Sequence, residues 1–92
     1  MLEEQDLLAL LIDKIEYQIK LNKDNLKGTK HGIKKLEKSK DGAIEAGIED
    51  YVFEEKINYI NSVKETLEER INILKKIKYR LVVSEKMLNS LK

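Results

Sequence analysis

Four carboxylates near the middle of the chain come closest to a pattern that could bind a metal ion or exchange protons. Asp41, Glu45, Glu49 and Glu55 recur at roughly helical spacing, so they could line one side of a helix. A di-iron helical bundle also needs Glu-x-x-His pairs, and the single histidine, His31, stands among lysines. Cysteine is absent, which excludes thiolate ligands and disulfides. We therefore expect a solvated acidic face here, with no metal site and no cofactor.

Patterns typical of catalysis or nucleotide binding are also missing. His31 lies between Gly28 and Gly32, and no serine stands in a nucleophile motif, which argues against a Ser–His–Asp triad. The segment from Gly28 to Gly32 lacks the glycine spacing of a P-loop or of a dinucleotide-binding fingerprint. We expect no catalytic residues, and hence a protein that is not an enzyme.

A run of lysines between residues 20 and 40 is the best candidate for contact with an anionic partner. This segment has a net charge of +6, whereas the whole chain carries +1. Such a run could follow a phosphate backbone, although it contains no arginine and no aromatic residue for stacking. Nucleic-acid binding is therefore the alternative function. The residues expected to contact phosphate are Lys27, Lys30, Lys34, Lys35 and Lys38.

The second half of the chain has the periodicity of a long helix that packs on other helices. Leucine or isoleucine recurs every seven residues, at Ile60, Leu67, Leu74, Leu81 and Leu88. With these at heptad position d, position a is mixed and includes Lys64, Lys78 and Glu85. Further apolar residues at positions c and g widen the apolar arc to roughly 160°. So wide an arc predicts contact with two neighbouring helices, as in a bundle.

The first half of the chain also has a helical stripe, but two glycines interrupt it. The stripe begins near Leu8 and continues in register to Ile33 and Leu36. Gly28 and Gly32 each cost up to about 1 kcal/mol in a helix interior. We therefore expect the N-terminal helix to be kinked or broken at residues 28–32, and the sequence leaves a kink and a loop as open alternatives.

The strongest turn signal is Ser39-Lys40-Asp41-Gly42, since Asp41 suits an N-cap and Gly42 can adopt a positive φ. This predicts a single domain over 1–92, with a helix over about 3–39, a turn at 40–42 and a helix over about 43–91. Four successive blocks, 1–19, 20–40, 41–55 and 56–92, carry −4, +6, −6 and +5. An antiparallel hairpin that places residue i beside about 83 − i brings opposite charges together.

Two segments are too apolar for a helix that packs on one neighbour. Residues 7–12 are apolar around the whole helix, and apolar residues enter the polar arc between positions 79 and 83. Contiguous apolar surface of this kind marks interfaces. The predicted interface residues are Leu7, Leu10, Leu11, Tyr79, Val82 and Val83.

Together these patterns predict an all-α antiparallel two-helix hairpin that self-associates into a four-helix bundle. We expect a non-catalytic protein–protein interaction protein, acting as a small adaptor, scaffold or inhibitor. Its expected partners are a second copy, as a homodimer, and another protein.

The longest apolar run has six residues, far fewer than the roughly 20 that span a bilayer, and its acidic flanks do not suit a signal peptide. We therefore expect no membrane insertion and a cytoplasmic location, with signal-independent export as an open alternative. The richness in Ile, Lys and Asn is typical of an AT-rich genome, such as that of a low-GC bacterium or its phage.

In size and hairpin shape the chain resembles the hundred-residue WxG-type proteins. That resemblance would imply a secreted helical hairpin as a third function. However, the chain has no Trp, its predicted turn reads Ser39-Lys-Asp-Gly-Ala43, and its one Tyr-x-x-x-Glu match, Tyr51 to Glu55, lies far from the C-terminus. The resemblance is one of architecture alone and assigns no family.

Overall fold

The computed structural model describes residues 3–91, and two long helices account for most of this range. Helix α1 spans Glu4–Glu45, helix α2 spans Tyr51–Ser90, and the described residues contain no strand. The prediction of an all-α, two-helix hairpin is confirmed. Within residues 3–91, neither helix holds an apolar stretch long enough to cross a bilayer.

Helix α1 ends at a glycine five residues beyond the predicted stop. Gly47 has a φ of +83°, the left-handed conformation that favours glycine. The backbone N–H of Ile48 donates to the carbonyl of Ala43 at 2.8 Å, and that of Gly47 to the carbonyl of Ile44 at 3.0 Å. This pair of bonds is a Schellman motif, which satisfies the last carbonyls of the helix. Gly42, by contrast, is helical, so the predicted turn at 40–42 is wrong.

Helix α2 begins after Asp50, not after Asp41. The backbone carbonyl of Asp50 accepts hydrogen bonds from the N–H groups of Phe53 and Glu54, both at 3.0 Å, as an N-cap carbonyl does. The turn therefore lies at residues 46–50 and divides the chain into helices of 42 and 40 residues.

Helix α1 runs as one helix through Gly28 and Gly32, so the predicted interruption at residues 28–32 is absent. Neither glycine has a positive φ, and a Cβ built on either meets no other atom within 4 Å. Thr29 and Ile33, half-buried, carry the packing stripe past the glycines. Burial of this stripe therefore outweighs the low helix propensity of the two glycines.

Alanine substitutions should distinguish the helical glycines from the turn glycine by the sign of their effect. Replacing Gly28 and Gly32 together should raise the free energy of unfolding by about 1–2 kcal/mol, since alanine fits and favours the helix. Replacing Gly47 should lower it by about 1–2 kcal/mol, because its φ disfavours a side chain. Urea denaturation followed by circular dichroism measures both. Effects of the same sign would contradict the structure.

The chain packs as two units, each of which pairs a part of α1 with a part of α2. Unit 1 comprises residues 1–23 and 69–92, and unit 2 comprises residues 24–68. In unit 1 the Nζ of Lys78 lies 3.2 Å from the Oε1 of Glu16, and in unit 2 Lys40 pairs with Glu54. Since 16 and 78, like 40 and 54, add up to 94, residue i lies beside about 94 − i in each unit. The predicted register of 83 − i is wrong because the turn lies later in the chain.

The packed seam follows one heptad pattern along both helices. In α1 the buried or half-buried positions, apart from Gly32, alternate at spacings of three and four: Gln5, Leu8, Ile12, Ile15, Ile19, Asn22, Leu26, Thr29, Ile33, Leu36, Lys40 and Ala43. In α2 the seam consists of Phe53, Ile57, Ile60, Lys64, Leu67, Ile71, Leu74, Lys78, Leu81, Glu85 and Leu88. These are positions a and d of an antiparallel coiled coil.

Polar residues in the seam are accommodated without leaving buried groups unpaired. The side-chain amide of Asn22 donates to the carbonyl of Gln18 at 2.7 Å, and the hydroxyl of Thr29 donates to the carbonyl of Asn25 at 2.8 Å. Among the described residues, no buried side-chain nitrogen or oxygen lacks a hydrogen-bond partner. The mixed position a is thus compatible with a two-helix seam.

Candidate interaction surface

Residues outside the seam lie on two different faces of the hairpin. On each helix, heptad positions e and b lie on one side of the seam, and positions c and g lie on the other. Two antiparallel helices are related by a two-fold axis through the seam, so equivalent positions of both helices share a face. In unit 2 one shallow groove brings together c and g positions of both helices, in agreement with this geometry. Its lining consists of Asn25, Gly28, Gly32 and Val63 at c and g, Asp24 at f, and the seam residues Thr29, Ile60 and Leu67.

Within each unit, the seam lysines extend toward the side formed by positions e and b, which we call the charged face of that unit. Each pairs with a carboxylate at position e: Lys40 with Glu54, Lys64 with Glu68 and Lys78 with Glu16. Long lysine stems can bury their methylenes in the seam while the ammonium groups reach the edge. The seam lysines therefore place no ammonium group on the side formed by positions c and g.

The ion pair between Lys40 and Glu54 has a defined pH dependence. The hydrogen bond to Glu54 raises the pKa of Lys40, and the charges of Glu54, Asp50 and Asp41 act in the same direction, while partial burial opposes them. Because the folded state holds this proton more tightly, the stabilisation is fully present below the ordinary lysine pKa. It is lost as the pH rises through the raised value.

In unit 1, positions c and g form an apolar surface that the hairpin itself does not cover. We call this surface the apolar face; its residues are Leu7, Leu11, Leu21, Ile73, Ile77, Met87 and Leu91. Their exposed fractions range from 37% for Leu21 to 82% for Leu91. Seven exposed apolar side chains on one side of a single unit mark a candidate interface.

Charged residues are sparse on this side of unit 1 and are mostly basic. The remaining c and g positions hold Glu4, Lys14, Gln18, Arg70, Arg80 and Ser84. Glu4 is the one acidic residue among them, at the start of α1. The e and b positions, by contrast, carry many carboxylates and lysines together. The two faces therefore differ in chemistry, one suited to water and the other to apolar contact.

Of the predicted interface residues in α1, two lie on the apolar face and one does not. Leu7 and Leu11, at positions c and g, are 48% and 47% exposed. Leu10 is as exposed but occupies position f, on the outer side of α1. The neighbouring Leu8 and Ile12 are in the seam. The all-round apolar segment is thus divided by helix geometry among the seam, the apolar face and the outer side.

The three predicted interface residues of α2 lie elsewhere on the hairpin. Tyr79 is at position b on the charged face, and Val83 is at position f on the outer side, both exposed. Val82 is half-buried at position e. The six predicted residues therefore do not form one surface, because positions close in sequence diverge around a helix.

Five residues of the apolar face were not among the predicted interface residues: Leu21, Ile73, Ile77, Met87 and Leu91. Ile73, Ile77 and Met87 are in α2, and Leu91 directly follows it. All four belong to the wide apolar arc, for which the sequence predicted contact with two neighbouring helices. Their c and g spacing was the available signal. One neighbouring helix covers positions a and d alone, so the apolar residues at c and g could have been assigned to an uncovered surface from the sequence.

The predicted phosphate contacts are also separated by the fold. Lys27, Lys30 and Lys34 lie at positions b and e on one side of α1, and together with His31 they line a shallow, open depression that also includes Asp24. Lys35, at position c, and Lys38, at position f, do not line that depression. Within the described residues, Lys27, Lys30 and Lys34 form no ion pair.

The four central carboxylates do not share one side of a helix. Asp41 and Glu45 are in α1, Glu49 is in the turn and Glu55 is in α2, and all four are exposed. The shifted turn accounts for this separation. Within residues 3–91 there is no group of three or more histidine or acidic side chains close enough together to hold a metal ion.

Comparison with known proteins does not add a family to these observations. No family model, no curated protein and no solved structure matches the chain.

Proposed function

We propose that this chain is a non-catalytic helical interaction protein, a small adaptor, scaffold or inhibitor that acts through its apolar face. The observation that carries the proposal is the exposure of Ile77, Met87 and Leu91 beside a seam that is already filled. Leaving such side chains in water is unfavourable, since burying each is worth about 1.5–3 kcal/mol. A partner that covers the face recovers this free energy, reduced by the cost of association.

The first partner we propose is a second copy of the chain. Two hairpins joined by their apolar faces form a homodimeric four-helix bundle, in which each helix packs on one neighbour through a and d and on another through c and g. Another protein with an exposed apolar helix could use the same face in a complex. The cytoplasm is the compartment we propose for both interactions.

A pair of matched substitutions tests this proposal. Ile77 and Val83 are in the same helix and each is 38% exposed, but Ile77 lies on the apolar face and Val83 on the outer side. Ile77→Glu should raise the dissociation constant of the dimer roughly a hundredfold or more, since each dimer loses the burial of two side chains. Val83→Glu should change it little. Size-exclusion chromatography with light scattering measures both, and circular dichroism should find both variants equally helical.

Equal dissociation by the two variants would contradict the assignment to one face. It would favour a broad contact that includes the outer side, where the predicted interface residues Leu10 and Val83 lie. No change with either variant would contradict self-association through this part of α2.

The alternative function is nucleic-acid binding by the basic side of α1. The observation that favours it is the depression lined by Lys27, Lys30, His31 and Lys34, whose lysines form no ion pairs within the described residues. A mobility shift with duplex DNA or RNA that weakens with salt, and that Lys27→Glu with Lys34→Glu abolishes, would support this alternative. We expect no shift at physiological salt.

A further inference from the structure

Helix α2 contributes a regular stripe to the apolar side of unit 1. Its residues alternate at spacings of three and four, the last of them directly after the helix ends, and all are exposed: Arg70, Ile73, Ile77, Arg80, Ser84, Met87 and Leu91. This is the same spacing by which the seam packs α1 on α2. The stripe therefore has the geometry to pack against a second helix, and it contains no acidic residue that would pair with its two arginines.

The stripe is complementary to itself when two copies run antiparallel. In such a pair, each c position lies opposite a g position of the second copy. The two residue numbers of every opposite pair add up to the same total, and this total defines the register. When that total is 164, Ile73 meets Leu91 of the second copy, and Ile77 meets Met87. Arg80 then lies beside Ser84, so no apolar residue of the stripe faces a charge.

Other registers that keep c opposite g are less favourable. A shift by one heptad places Arg80 against Ile77 in one direction and against Leu91 in the other. A shift by two heptads toward the N-terminus places Arg70 against Arg80, which brings like charges together. Burying a charge against an apolar side chain, or two like charges against each other, costs free energy. A shift by two heptads toward the C-terminus pairs Met87 with Leu91 alone. The register with a total of 164 is the one that pairs all four apolar residues of the stripe and sets none of them against a charge.

We propose that the occupant of the apolar face is a second copy of this chain, with the two α2 helices antiparallel and centred between Arg80 and Ser84. This inference rests on the proposed self-association and specifies its geometry. The buried centre of a stable interface is apolar, and the exposed side chains of the apolar face supply such a centre. A two-fold axis at this point closes the assembly as a dimer.

Disulfide trapping between two tagged versions of the full chain tests the register. The chain has no native cysteine, so each variant carries one thiol. One version carries Arg80→Cys and the other Ser84→Cys; mixed and oxidised, they should crosslink nearly completely into a heterodimer on a non-reducing gel. The matched control pairs Arg70→Cys with Arg80→Cys, which samples the like-charge register, and it should remain largely uncrosslinked.

Light scattering before oxidation separates the failure of the register from the failure of self-association. Dimeric variants that crosslink through 70 and 80 but not through 80 and 84, or through neither pair, would overturn the register and leave self-association intact. Monomeric variants, together with a monomeric unmodified chain, would overturn both. Crosslinking that is equally complete in both pairs would contradict a single register.

Discussion

Replacing Leu67 with alanine is expected to lower the free energy of unfolding by about 2–5 kcal/mol, because it leaves a cavity in the middle of the seam. Leu67 is 7% exposed and is among the most buried residues of the described chain. In an aliphatic seam only two helices thick, few neighbouring side chains can move in to fill the space. The loss is a large fraction of the stability expected for a domain of this size.

Leu10→Ala is the matched control for this prediction. It removes the same atoms from a leucine that is 48% exposed on the outer side of α1, and should change the free energy of unfolding by about 0.5 kcal/mol or less. Urea denaturation at several protein concentrations measures both variants and corrects for self-association. Similar losses for both would contradict the assignment of Leu67 to the seam and Leu10 to the outer side.

Cysteines at positions 16 and 78 are expected to crosslink within one chain when a short bifunctional thiol reagent is added. Glu16 and Lys78 form an ion pair across unit 1, so their replacements stand within reach of a short linker. The matched control combines Lys78→Cys with Gln5→Cys, the pair required by the register of 83 − i. Position 5 lies eleven residues from position 16 along α1, or about 16 Å, so it should not react with position 78.

Mass spectrometry of the monomer band distinguishes crosslinks within a chain from those between chains. Crosslinking of 5 with 78, but not of 16 with 78, would restore a turn near residues 40–42. Crosslinks found only between chains would mean that the helices pair intermolecularly and that the hairpin does not form.

The sequence predicted the helices and the seam because both depend on short-range periodicity. The strict seven-residue recurrence of Leu67, Leu74 and Leu81 survives any error in the turn. The position of the turn was harder to predict from the sequence, because Asp41-Gly42 and Ala46-Gly47 both have the local composition of a helix end. Tertiary packing distinguishes the two: Lys40 and Ala43 continue the seam, so ending α1 near residue 39 would remove both from it.

The apolar face was only half predictable for a related reason. Periodicity alone identified a wide apolar arc on α2, but it could not say which part of the arc the neighbouring helix covers. Lysines at position a make the heptad pattern mixed, yet Lys64 and Lys78 reach carboxylates at the edge of the seam and leave positions a and d packed. Because α1 covers only positions a and d of α2, Ile73 and Ile77 stay exposed, and they mark the uncovered surface.

Sedimentation equilibrium of the unmodified protein tests self-association through the apolar face most directly. A chain of 10.8 kDa should sediment with twice that mass at micromolar and higher concentrations, and the Ile77→Glu variant should sediment with the mass of one chain under the same conditions. A mass of 10.8 kDa for the unmodified protein across the whole concentration range would contradict this account. So would a dimer that Ile77→Glu leaves intact.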